Sequence, residues 1–309
     1  MKLFLVACVS LTSLVSLSQE SFDKPHKAEI ARQDQQLNAI ERLQVKRIAL
    51  KTGVELEYVE QGNENGIPVI LLHGITDSWH SYETTLPLLP ENYHVFAITQ
   101  RGHGNSQKTA KGYSMKEFAG DISAFVEQKK LGAVVVVGHS MGGIVAQQFV
   151  LDYPRQVRAL VIICSDPALS RNPVMPGFFE EVKKMPDTPS REFMAEFQKA
   201  CIAKPIDSAY FNTLVDESMK IPIPVFKSIF TGLMDLDYTA QLKKITQPVL
   251  IFWGAKDGFF LREGQELFIK NIRQAKWIVY EEVGHSLHWE EPQRFARDLT
   301  EFINAVSGK

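Results

Sequence analysis

The sequence predicts an α/β protein built on a mostly parallel, doubly wound sheet, and three observations carry that reading. Apolar runs of strand length recur along the chain, segments with helical spacing lie between them, and one proline-rich stretch interrupts the alternation. Across 309 residues, 45% hydrophobic and 23% charged is the make-up of an ordinary globular chain, not of a disordered, collagen-like or polytopic membrane protein. With 34 Lys+Arg against 36 Asp+Glu, the net charge of −2 offers no electrostatic footprint for nucleic acid or an anionic membrane.

Taken in order, the chain opens with Lys2, an uncharged run over 3–17, and polar Ser18, Gln19 and Glu20. This reads as a signal peptide over 1–18 with the cut after Ser18, so export to the periplasm or the exterior is expected. The run is about 15 residues, short of the roughly 20 that span a bilayer. An uncleaved membrane anchor is the alternative, and Leu5-Val6-Ala7-Cys8 gives a lesser, lipoprotein-like one. Over 19–44 the chain is polar, with Ile30, Leu37, Ile40 and Leu43 spaced as in an amphipathic helix.

Alternating runs over 45–50 and 54–59, separated by Lys51-Thr52-Gly53, predict a hairpin. The runs over 68–72, 95–98, 133–137 and 157–163 have no polar face and predict strands buried on both sides. Between them, 115–130 places Phe118, Ile122, Phe125 and Val126 at helical spacing. Further strands over 249–253 and 277–280 bracket a helix over 261–272, and a last helix follows over 292–306. The stretch 167–237 has no strand-like run and carries prolines at 173, 176, 186, 189, 205, 222 and 224. It predicts a helical cap inserted after the sixth strand, leaving 45–166 and 238–309 as the core. Its apolar Met175, Phe178, Phe179, Phe211, Ile221, Val225 and Phe226 exceed what a small cap needs for itself. Of the cysteines beyond the leader, Cys164 and Cys201 are expected as buried free thiols.

Chemistry enters at Val137-Gly138-His139-Ser140-Met141-Gly142, where four valines lead into a Gly-x-Ser-x-Gly turn and a helix. A sharp strand-to-helix turn holds Ser140 in strained geometry, so the residues two before and two after must be small. The helix behind it directs partial positive charge at a developing oxyanion. A serine hydroxyl needs a base to take its proton and an acid to orient that base. Asp257, just past the strand over 249–253, and His285, just past the strand over 277–280, supply both at the sheet's carboxyl edge. His288 stands as a packed neighbour. His73, His103 and His139 have no metal-ligand spacing and read as structural, and Gly102-x-Gly104 lacks the context of a dinucleotide loop, so neither a metal nor a cofactor is implied.

These residues resemble the α/β-hydrolase superfamily, whose nucleophile elbow and Ser, Asp, His chain order they share. Leu71-Leu72-His73-Gly74, Gln100-Arg101-Gly102-His103-Gly104-Asn105-Ser106 and His285-x-x-His288-x-Glu290-x-Pro292 extend the likeness over about 45–306. The resemblance implies an oxyanion hole formed by the backbone N–H groups of Ile75 and Met141. It also makes Asp166 the alternative acid, since some relatives place theirs there, and Asn105 stands where the family usually has Asp. A serine in this position implies an acyl-enzyme and sets aside the branches that work through an aspartate ester, which include most epoxide hydrolases. The expectation is a carboxylesterase for a small to medium apolar acyl substrate. A lactonase, a carbon–carbon bond hydrolase or a hydrolase-like binding or signalling protein are the alternatives. The apolar cap, with few cations beyond Arg171 and Lys204, argues against carbon–carbon cleavage of a carboxylated substrate.

Overall fold

The computed structural model describes residues 43–308. The expected signal peptide over 1–18, and the expected helix over 19–44 apart from irregular Leu43 and Gln44, lie outside them. Strand β1 (Val45–Ala49) pairs antiparallel with β2 (Glu55–Gly62) across a turn in which Gly53 has φ of 82°. The second strand runs three residues past the expected bound because Gly62 still pairs with His94 of β4.

β3 (Ile67–Leu72), β4 (Tyr93–Thr99), β5 (Val134–His139), β6 (Val157–Ile163), β7 (Val249–Gly254) and β8 (Ala275–Tyr280) complete an eight-stranded sheet in the order β1-β2-β4-β3-β5-β6-β7-β8. Pairing is antiparallel from β1 to β4 and parallel across the rest. The chain steps outward from β3 to β4 and then crosses back to β5, so strand order reverses between β3 and β5. Ligands in open α/β sheets bind at such a reversal, beyond the carboxyl ends of the strands.

The apolar runs are explained by two cores, one on each face. Val134 and Val136 of β5 pack with Phe118, Ile122 and Phe125 of helix α1 (Met115–Gln128) and with α2 (Met141–Asp152). Val135 and Val137 of the same strand pack on the other face with Leu71, Phe252, and Phe295 and Leu299 of the last helix. Alternate side chains of one strand thus enter opposite cores, and no position is left for a polar residue. Helix α1 starts where the sequence supplies a capping box, Ser114 with Glu117.

Between β6 and β7 lie four helices, α3 (Met175–Lys184), α4 (Arg191–Ala200), α5 (Ser208–Ser218) and α6 (Ile223–Met234). Two of the prolines serve as helix starts: Pro176 and Pro224 occupy first turns, where a missing N–H costs nothing. α4 and α5 are capped by Ser190 and Asp207. Beyond β7 come α7 (Arg262–Asn271), the short α8 (Leu287–Glu290) and α9 (Pro292–Ser307). Among the described residues, no helix is long and apolar enough to cross a membrane.

Candidate active site

Ser140 follows the last residue of β5 with φ of 54° and ψ of −119°, a backbone conformation that a side chain makes costly. The turn is tight enough to explain its glycines. A Cβ on Gly138 would lie 2.2 Å from the Gly142 carbonyl oxygen, and one on Gly142 would lie 2.3 Å from that of Leu72. The elbow is held by Ser140 N–H donating to Ile163 O at 2.9 Å and by Ser165 Oγ donating to Ser140 O at 2.8 Å. Two more non-glycine residues at the same edge have left-handed φ, Thr76 at 71° and Cys164 at 41°.

Past β8, three strands from β5, His285 Nδ1 donates to Asp257 Oδ2, past β7, at 2.9 Å. The other oxygen of Asp257 accepts the backbone N–H groups of Phe259 at 2.8 Å and Phe260 at 3.1 Å, so the carboxylate is fixed on both sides and buried. That bond fixes the histidine tautomer and leaves Nε2 free of the acid. Asp166 is spent differently: its oxygens accept from Ala168 N–H at 2.8 Å and Asn172 Nδ2 at 3.2 Å, and burial raises its carboxyl above the usual range. Asp257 is therefore the acid that reaches His285.

Ser140 and His285 line one narrow cavity together with Ile75, Asp77, Phe197, Gln198, Cys201 and Trp289. Met141 follows Ser140 as the first residue of α2, where a backbone N–H has no carbonyl one turn before it. Of the two residues implied as oxyanion donors, Met141 directly follows the serine and Ile75 lines the same cavity. Phe197 and Gln198 belong to α4. Phe197 stacks on Phe178 at 5.4 Å and meets Phe259 at 5.9 Å, and Phe259 meets His285 at 5.2 Å, which makes an apolar wall reaching the imidazole.

Three other buried histidines bond the backbone. His73 accepts Gln100 N–H at Nε2 (2.9 Å) and donates from Nδ1 to Gly74 O (2.6 Å), while burial holds it well below the ordinary range. His103 donates to Arg101 O at 2.9 Å, and burial brings it down to about 4. His139 Nε2 donates to His285 O at 3.1 Å, tying the elbow to the loop of the candidate base, and burial keeps it neutral. His288 packs as a neighbour, with its Nε2 3.1 Å from Ser81 Oγ and burial bringing it down to about 3. Glu290 fixes the same loop by accepting Gly284 N–H at 2.7 Å while its second oxygen accepts Ala203 and Lys204 N–H groups at 3.0 and 2.6 Å. Asn105 donates to Glu57 at 3.1 Å, well away from the chemistry.

Among the described residues, the one grouping of three possible metal ligands is Cys164, Asp257 and His285, mutually within 4.8 Å. Burial pushes the Cys164 thiol well up, which opposes the thiolate that a metal requires. Cys164 and Cys201 are both free and buried. The sequence reading missed Asp77, Gln198 and Cys201 in the cavity. Asp77 stands in a loop past His73-Gly74, and the other two come from the cap, where no motif marks them.

A sequence profile of the alpha/beta hydrolase fold matches residues 67–292. Epoxide hydrolase 1 of Caenorhabditis elegans is 27% identical over 304 residues, covering 88% of this chain and 73% of that protein. A bifunctional esterase/perhydrolase of Acinetobacter calcoaceticus is 25% identical over 284 residues, covering 84% of this chain and 99% of that protein. Among solved structures, an esterase from Exiguobacterium antarcticum superposes with a TM-score of 0.77 at 25% identity, covering 84% of this chain and 100% of that one.

Proposed function

The chain belongs to the alpha/beta hydrolase fold family, and from that premise we propose that it is a serine esterase that cleaves carboxylic esters of small to medium apolar acyl groups through an acyl-enzyme. The observation that carries this reading is the buried His285–Asp257 hydrogen bond at 2.9 Å, with its imidazole and strained Ser140 lining one cavity. His285 takes the Ser140 proton, Asp257 holds the imidazole in the tautomer that leaves Nε2 basic, and the developing oxyanion meets the Ile75 and Met141 N–H groups. The imidazolium then returns the proton to the departing alcohol. Water, activated by the same histidine, releases the acid.

Serine at position 140 supports acyl transfer over the aspartate-ester route, even though an epoxide hydrolase is among the relatives. The esterase/perhydrolase relative supports the same reaction class. The phenylalanine wall beside His285 suits an apolar acyl chain. Arg171 pairs with Asp237 at 2.7 Å and Lys204 with Glu291 at 2.7 Å, both at the surface, so the cap's two candidate cations are committed away from the cavity. That favours an ester over a carboxylated carbon–carbon substrate. Export by the segment over 1–18 is part of the same proposal, testable by N-terminal sequencing of secreted protein.

Ser140→Ala is expected to abolish hydrolysis of a short p-nitrophenyl ester and labelling by a fluorophosphonate, with circular dichroism unchanged. Hydrolysis at the wild-type rate by that variant overturns the mechanism.

A further inference from the structure

We propose that Gln198, held by Asp77, Thr76 and Ser218, presents its Oε1 as a polar subsite in the cavity beside Ser140 that accepts a hydrogen bond from a hydroxyl group of the substrate, carried close to the scissile carbonyl. The inference rests on the ester-hydrolase reading and names the substrate class within it.

Gln198 is a cap residue, near the end of α4, and is 1% exposed. Its Nε2 faces three oxygens: Ser218 Oγ at 2.6 Å, Asp77 Oδ1 at 2.9 Å and Thr76 Oγ1 at 3.3 Å. Ser218 Oγ sends its own proton to Leu214 O at 2.9 Å and so accepts from Gln198. Reversing the amide would set Oε1 against these oxygens, so Nε2 is the atom that faces them. Oε1 is then buried in a residue lining the cavity, with no hydrogen-bond partner in the protein. A buried amide oxygen without a donor is costly, and such groups in folded proteins call for an explanation.

Asp77 helps to hold the amide in place. It is 3% exposed, its Oδ1 accepts from Gln198 Nε2, its Oδ2 lies 3.5 Å from Ser81 Oγ and 4.0 Å from His139 Nδ1, and that ring nitrogen makes no hydrogen bond. Burial pushes the Asp77 carboxyl up to about 7, against the pull of the Gln198 amide. Both Asp77 oxygens thus have partners, and Gln198 Oε1 is left as an acceptor without a donor. A hydroxyl donates the hydrogen bond that this oxygen lacks. An ammonium would donate too, but it brings a charge that burial penalises. An alkyl group would leave Oε1 unpaired.

The hydroxyl can come from the alcohol or the acyl side, and paired esters distinguish the two. Values of kcat/KM are measured for 2-hydroxyethyl butanoate against propyl butanoate, and for ethyl 3-hydroxybutanoate against ethyl 3-methylbutanoate. The wild type is expected to prefer one hydroxylated ester over its isostere by about tenfold, the usual penalty when a substrate leaves a buried polar group unpaired. Gln198→Leu is expected to bring that ratio close to one, a change in preference that loss of stability alone would not produce. Wild-type ratios near one in both pairs, with all four esters hydrolysed, overturn the subsite while the esterase reading stands. A Gln198→Leu variant that keeps the tenfold preference also overturns it. Failure to hydrolyse any of the four overturns both readings.

Discussion

Asp257 and Asp166 are buried acids at the ends of neighbouring strands, and their hydrogen bonds separate their roles: the first holds His285, the second holds Ala168 and Asn172. Asp257→Asn is expected to lower kcat by roughly three to four orders of magnitude, because the amide no longer selects the productive imidazole tautomer. Asp166→Asn keeps an oxygen for the Ala168 N–H and is expected to stay within about threefold of wild-type kcat. Steady-state kinetics of the two purified variants checks the pair, and the reverse ranking would make Asp166 the acid. The placement of Ser140, Asp257 and His285 at one sheet edge was legible in the sequence because each follows a strand in a fixed chain order. Asp77 and Gln198 were not, since a polar residue in a loop and another in a cap helix acquire meaning only when the fold sets them 2.9 Å apart.

At the scale of elements, β3 to β7 were readable because both faces of those strands are largely buried, so apolar residues fill most positions. The 3-10 turn Trp79–Tyr82 and α8 were not, because four residues give no period to detect. The helices between β6 and β7 were legible from the lack of strand-like runs there, but which side chains they bury was not. Element junctions also rest on single buried pairs. Arg101, past β4, donates from Nε and Nη2 to the two carboxylate oxygens of Asp121 on α1, both at 2.6 Å, and from Nη1 to Gly112 O at 2.7 Å. Arg101→Ala leaves Asp121 buried without its cation and is expected to cost about 3–5 kcal/mol of stability, read from urea unfolding. A loss below about 1 kcal/mol would mean that water or another cation replaces the guanidinium.

The whole molecule carries its buried histidines as an acid liability. His73, His103, His139 and His288 are held neutral by burial, His103 down to about 4 and His288 down to about 3, whereas an unfolded chain titrates them near 6.5. Below that value the unfolded state binds more protons, so stability falls as pH drops from about 6.5 toward 4. Each such histidine contributes a slope of about 1.4 kcal/mol per pH unit. Asp77, raised to about 7, works in the opposite direction: over about 4 to 7 the folded state holds its proton, and it offsets one histidine out of four. Unfolding free energies measured by urea between pH 6.5 and 5 are therefore expected to drop steeply, and His288→Gln is expected to shallow the slope by about one proton. A slope unchanged in that variant would contradict the assignment of His288 as neutral. A different consequence follows from the left-handed backbone of Thr76, Ser140 and Cys164, three of the four such non-glycine residues among those described. Because this costly geometry is gathered at the edge that does the chemistry, a protein engineer seeking heat resistance has no safe gain to make there. Relaxing those turns would trade turnover for melting temperature, whereas the cap's outer surface and the opposite rim of the sheet can be stiffened without moving a reacting atom.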